Sequence, residues 1–130
     1  MKTLKIELED GKLNYKAGEE IRGWVEWETD EDIKGVEVRL FWYTKGKGTE
    51  DIGIAETAKF ENCGLIGEEN FSFKAPVEPY SFSGKLISLV WAIETVAEPG
   101  GECERVEIVI SGTGEEVMLS KSQAEEEGFL

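Results

Sequence analysis

Residues 71–95, FSFKAPVEPYSFSGKLISLVWAIET, constrain the fold more than any other part of the chain. They read as a strand, a proline-framed corner and a longer second strand, with side chains alternating at a period of two. Phe71 and Phe73 point to one side while Ser72 and Lys74 point to the other. Beyond Pro76 and Pro79, the residues Ile87, Leu89, Trp91 and Ile93 line one face, and Leu86, Val90 and Ala92 make the second face apolar as well. A strand that is apolar on both faces belongs in the middle of a sheet. Proline cannot donate to a strand ladder, so the segment around Pro76 and Pro79 is confined to a corner. This is core architecture of an all-β protein, and it contains no group that could run a reaction.

The rest of the chain repeats the pattern. Residues 3–9 place Leu4, Ile6 and Leu8 on one face, and Asp10-Gly11 predicts a hairpin back through residues 12–15. Residues 21–28 set Ile21, Gly23, Val25 and Trp27 inward and Arg22, Trp24, Glu26 and Glu28 outward. An acidic turn at Asp30-Glu31-Asp32 is expected before residues 36–43, where Val36, Val38, Leu40 and Trp42 face inward and Glu37, Arg39, Phe41 and Tyr43 outward. The run Lys45-Gly46-Lys47-Gly48 breaks the pattern, residues 52–60 predict a weaker strand, and residues 63–67 predict a loop. Pro99-Gly100-Gly101 turns the chain into a last strand over residues 105–110, with Val106, Ile108 and Ile110 inward. About eight strands without a long helical pattern predict an immunoglobulin-like antiparallel β-sandwich over residues 1–112. Residues 113–130 read as an acidic C-terminal tail, in which Ser120 with Gln123 and Ser122 with Glu125 have the spacing of helix-capping boxes.

Charge and residue types exclude several functions. With 28 acidic and 14 basic residues, the formal net charge is −14. Such a chain repels phosphates and anionic headgroups, so neither nucleic acid nor membrane insertion is expected. The start lacks the apolar core of a signal peptide and no run approaches the ~20 apolar residues of a membrane span, which points to the cytoplasm. At 130 residues, one domain can bury roughly two-thirds of its unfolded surface without a staple. Histidine is absent, which removes Ser-His-Asp and Cys-His catalysis. Cys63 and Cys103 are too few to close a zinc site and read most simply as two free thiols, a disulfide turning on the separation of their α-carbons. Gly46-Lys47-Gly48-Thr49 resembles a phosphate loop only in composition. A calcium loop at Asp30 fails because Lys34 and Phe41 stand where ligands are needed. No catalytic residue, cofactor or metal is expected.

Three segments taken in order resemble the arrestin-like domain family. They are Tyr15-Lys16-Ala17-Gly18-Glu19-Glu20-Ile21-Arg22-Gly23, then Ile33-Lys34-Gly35-Val36-Glu37-Val38-Arg39-Leu40, then Pro76 to Trp91 with Pro79-Tyr80-Ser81-Phe82-Ser83-Gly84-Lys85 at its corner. The match spans roughly residues 4–110. Arrestin-like proteins usually pair two sandwiches, whereas this length accommodates one. The resemblance therefore implies a single-lobe, non-enzymatic scaffold similar to the bacterial and archaeal sporulation-control type. It carries over no phosphate-sensing residue.

One constellation is a candidate binding surface. If residues 21–28 and 36–43 pair antiparallel, Glu26 faces Arg39, Trp24 faces Phe41, Arg22 faces Tyr43 and Gly23 faces Trp42. Trp24, Phe41 and Tyr43 would then form an exposed aromatic patch with Arg22 and Arg39, beside the basic loop at Lys45 and Lys47. Aromatic and arginine clusters are typical anchors of protein interfaces. The function expected is a protein-interaction adaptor with protein partners, and a homodimer through an edge strand is a variant of it. The alternatives are a carbohydrate- or calcium-binding accessory sandwich, a small carboxylate hydrolase, which needs a Glu or Asp of raised pKa, and a structural subunit of a larger assembly.

Overall fold

The computed structural model describes residues 3–46, 50–79, 81–83, 87–99, 101–112 and 117–118. They form strands β1 (Thr3–Leu8), β2 (Asn14–Lys16), β3 (Glu20–Gly46), β4 (Ile52–Lys74), β5 (Phe82–Ser83), β6 (Ile87–Glu98), β7 (Glu102–Ser111) and β8 (Val117–Met118), with a 3-10 turn at Glu9–Gly11. The protein is all-β, but the strands divide differently from the expectation. Residues 21–28 and 36–43 are two halves of the 27-residue β3, so the acidic turn at residues 30–32 is absent. The segments before and after residues 63–67 likewise fuse into the 23-residue β4. Turn-forming residues act here as bulges: the β3–β4 register shifts between Glu28 and Gly35, and Asn62 and Gly64 adopt φ of 56° and 69°.

Strand β3 organises the sheet. One of its edges is covered throughout by β4, whereas the other is divided, with β1 pairing to residues 23–28 and β6 to residues 35–46, all antiparallel. Strand β7 then pairs antiparallel with β6. Two wings thus share the β3–β4 ribbon. Buried positions along β3 run odd at Ile21, Val25, Trp27 and Ile33 and even at Val36, Val38 and Leu40. The bulged middle makes that change of parity, which keeps both halves' apolar side chains on the same concave side. The ribbon also folds over. Lys74 N–H donates to the Glu56 carboxylate at 3.1 Å, although a straight strand would hold residues this far apart in sequence at about 60 Å. Leu4, Ile21, Val25 and Trp27 of one wing and Leu40, Trp91, Ile93 and Ile110 of the other therefore join a single core. This curled sheet has the geometry of a β-sandwich.

The ribbon pairs glycine with aromatic rings across its strands. Gly23 lies opposite Phe71, Gly53 opposite Trp42 and Gly67 opposite Trp27. Each glycine leaves room for a ring that a Cβ would strike, which fills the inner face without spreading the strands. Gly23 thus accommodates Phe71, not Trp42. The Trp27 indole N–H donates to the Cys63 carbonyl at 3.0 Å and pins the kink in β4.

The tyrosine–glycine–glutamate motif closes the sandwich. Glu19 N–H donates to the Lys16 carbonyl at 3.0 Å, and Gly18 takes the φ of 84° that the turn requires. From this turn, Ala17 N–H donates to Ser111 at 2.9 Å and Gly18 N–H to Ala75 at 2.7 Å, while Ala75 N–H donates back to Glu19 at 2.8 Å. One turn therefore ties the ends of β4 and β7. The expected hairpin after Asp10-Gly11 does not form, because β2 pairs in parallel with β7, with Tyr15 opposite Ile110. Tyr15 is buried, its hydroxyl donates to the Lys12 carbonyl at 2.9 Å, and burial pushes its pKa up to about 12.

The proline corner docks on β6 and β7. The Trp91 indole N–H donates to the Pro79 carbonyl at 2.7 Å, and Ser81 exchanges two hydrogen bonds with the Ile110 backbone at 2.7 and 3.0 Å. Strand β8 pairs in parallel with β5, so residues 117–118 of the expected tail belong to the sheet. The capping boxes at residues 120–125 lie outside the described residues. Cys63 is a buried and Cys103 an exposed free thiol.

Thr95 sits fully buried on β6 with its hydroxyl unpaired. Thr95→Val keeps the branched shape and removes that polar atom, so it is expected to raise stability by about 1 kcal/mol and Tm by roughly 4 °C. Urea and thermal unfolding measure both; a loss of stability would mean that the hydroxyl has a partner.

Candidate functional site

Register builds a mixed apolar and charged surface on the outer face of the β4–β3–β6–β7 wing. Its rows are Ile52–Tyr43–Val90, Ile54–Phe41–Ala92–Glu107 and Thr57–Arg39–Glu94–Arg105. A bulge at Ala55, where the register of β4 shifts, puts Ile54 and Thr57 on the same face. Ile52 and Ile54 are 67% and 60% exposed and extend the aromatic rows to the margin of the sheet.

The aromatic rows are braced from β7. The rings of Phe41 and Tyr43 stack at 5.9 Å, and the Arg105 guanidinium lies 4.9 Å from the first and 5.4 Å from the second. Glu94 holds Arg105 in place by accepting from Nη2 at 2.8 Å and Nε at 3.3 Å. The Tyr43 hydroxyl donates to Glu107 at 2.7 Å, and Lys45 approaches the same carboxylate at 3.4 Å. Arg39 pairs with Glu37 at 2.7 Å and lies 3.8 Å from Glu94. Three cations thus meet three carboxylates, and the face is a neutral island on a strongly acidic protein. The pKa directions follow these contacts. The hydrogen bond from Tyr43 lowers Glu107, that from Arg39 lowers Glu37, burial raises Tyr43, and the bond to Glu94 raises Arg105.

Four of the seven predicted binding residues, Arg39, Phe41, Tyr43 and Lys45, come together here. Arg22 and Trp24 do not. They stand on the other half of β3, where Arg22 pairs with Glu20 at 2.8 Å and the Trp24 indole N–H donates to Glu26 at 2.9 Å. The predicted pairing of residues 21–28 with 36–43 cannot form, because both segments belong to one strand. Lys47 lies outside the described residues. Phe41 is also corrected from an exposed anchor to a ring 4% exposed, because Arg105 covers it. Sequence reading missed Ile52, Ile54, Glu94, Arg105 and Glu107 as members of the face. The outward parity of Arg105 and Glu107 was readable, but their neighbours depend on β7 lying beside β6.

The chemistry offered by this surface is contact chemistry. The carboxylates with a resolved shift, Glu19, Glu20, Glu37 and Glu107, all move down, each through a hydrogen bond to its charged form, and none is a raised acid. Among the described residues, no group of three or more His, Cys, Asp or Glu could hold a metal ion, and no helix is long and apolar enough to cross a membrane.

No protein-family model matches the chain, and no curated protein matches it in sequence. Among solved structures, it is similar to Spo0M, a sporulation control protein from Bacillus subtilis, with a TM-score of 0.62 and 19% identity over 85% of this chain and 49% of that one. The chain spans about half the length of that protein. At this identity the likeness is one of fold alone, an arrestin-like fold.

Proposed function

We propose that the chain is a non-enzymatic, cytoplasmic protein-interaction module, a single immunoglobulin-like lobe of arrestin-like type that binds partner proteins through the outer face of β4, β3, β6 and β7. The observation that carries this reading is the exposure of Ile52 and Ile54 beside a fixed Tyr43–Arg105 cluster. Apolar anchors can desolvate against a partner there, while paired charges around them supply orientation. The similarity of fold to a sporulation control protein supports a scaffold, as does the downward shift of the carboxylates. The net charge of −14 favours basic or mixed-charge proteins over nucleic acid or anionic membrane.

The test is affinity capture from source cells with quantitative mass spectrometry, comparing the native chain with an Ile52→Asp, Ile54→Asp variant of unchanged Tm. Both positions are exposed, so folding is expected to tolerate them. Partners held by the native chain are expected to fall at least tenfold with the variant and to persist with Trp24→Ala on the other wing. Retention of the same partners by the double variant would move the site off this face.

A further inference from the structure

We infer that the free edge of β4 is a strand-addition site for an extended segment of alternating basic and apolar residues. The inference rests on the protein-interaction reading and gives that partner a chemistry. Strand β4 runs from Ile52 to Lys74 and pairs only with β3 among the described residues, so its other edge offers backbone N–H and C=O groups ahead of Lys74, whose N–H is taken by the Glu56 carboxylate. Edges of this length are ordinarily blunted by proline, by inward charge or by a covering segment. Strand β4 has no proline and, before its last residue, one lysine, Lys59; its inward charges are the exposed Glu56 and Glu69, opposite Leu40 and Val25. Yet the six large hydrophobics exposed among the described residues include four on this strand: Ile52, Ile54, Leu65 and Ile66.

Charge selects the occupant. Between residues 50 and 61 the chain carries Glu50, Asp51, Glu56 and Glu61 against Lys59 alone. Glu50, Asp51 and Glu61 have no cationic partner among the described residues. A second copy would bring the same carboxylates, and another charge of −14, against this edge. A strand bearing Lys or Arg at alternate positions, turned outward, would place its ammonium or guanidinium groups beside Glu61 and toward Glu50 and Asp51 ahead of β4, whereas Glu56, opposite Leu40, lies on the inner face. Its intervening apolar side chains would extend the inner face, while main-chain hydrogen bonds to β4 supply affinity. Such a strand would also lie next to Ile52 and Ile54, continuous with the outer face.

The probe is a labelled peptide, Lys-Val-Lys-Val-Lys-Val-Lys-Val, compared with one of equal charge in which every Val is Pro. Fluorescence anisotropy gives affinity, and amide hydrogen exchange locates binding. Saturable binding of the valine peptide is expected, with slowed exchange at residues 52–61, at least tenfold loss with the proline peptide, and at least tenfold loss with Ile54→Lys, Glu61→Lys. Equal binding of the two peptides would reduce the effect to ionic attraction and overturn strand addition. Protection confined to Tyr43 and Arg105 would overturn it too, while leaving the outer-face reading standing. So would protection of β4 that rises with protein concentration without peptide, which would assign the edge to a second copy, and so would the absence of binding.

Discussion

Alanine in place of Trp91 is expected to lower Tm by about 15 °C, equivalent to about 4 kcal/mol for a domain of this size. Trp91 is 1% exposed and the largest fully buried side chain among the described residues. It stands opposite Trp42 on β3 and Ile108 on β7, so its ring fills the centre of the wing that carries the outer face. Truncation removes its transfer free energy and leaves a cavity that close-packed strands cannot collapse into. A second loss is polar, because the indole donates at 2.7 Å to the Pro79 carbonyl and the corner would lose that donor. Trp91→Phe separates the two contributions. It retains most of the packing and is expected to cost about 2 kcal/mol in urea unfolding. If Phe costs as much as Ala, the hydrogen bond to the corner dominates; if Ala costs under about 1 kcal/mol, Trp91 is not the anchor of this wing.

That anchor was legible in sequence, since Trp91 lies in a strand whose two faces are both apolar, and β6 does lie between β3 and β7. Period-two alternation also placed Ile21, Val25, Trp27, Val38, Leu40, Ile108 and Ile110 inside, and all are buried. What alternation does not encode is continuity. Asp30-Glu31-Asp32 has the composition of a turn, yet exposed carboxylates are equally compatible with a strand whose side chains reach water, and β3 passes straight through them. Read as separate strands, the two halves pair with each other, and that pairing misplaces Trp24 beside Phe41.

The candidate face was half legible for the same reason. Which side chains leave one strand on one face is a local property, and Arg39, Phe41, Tyr43 and Lys45 follow from it. Which strand lies alongside is a long-range property, so the cover of Arg105 over Phe41 needed the β6–β7 ladder. The bulge that brings Ile54 beside Phe41 depends on one unmatched residue in β4, and nothing in the composition of residues 52–57 announces it.

Gly23→Ala carries the second large expected loss, about 3 kcal/mol and roughly 11 °C in Tm. Conformational freedom is not the cause, because Gly23 is not among the residues of positive φ. Space is. A Cβ at this position would lie 2.3 Å from the Glu7 carbonyl oxygen and 2.7 Å from Cζ of Phe71. A ring can turn aside, but the carbonyl belongs to the backbone of β1, which pairs with β3 from Thr3 to Leu8. Relief therefore requires β1 to move off the ribbon, and Leu4 and Leu8 would leave the core with it. By contrast, a Cβ on Gly18 meets nothing within 4 Å, so Gly18→Ala suffers only the strain of its φ of 84°, about 1 kcal/mol. A double-mutant cycle with Phe71→Leu distinguishes the two clashes. With the backbone oxygen dominant, shrinking the ring recovers less than half of the loss caused by Gly23→Ala, and amide exchange accelerates along β1 in both variants. Full recovery would place the clash in the ring, and leave β1 free to tolerate a methyl group at its most crowded crossing.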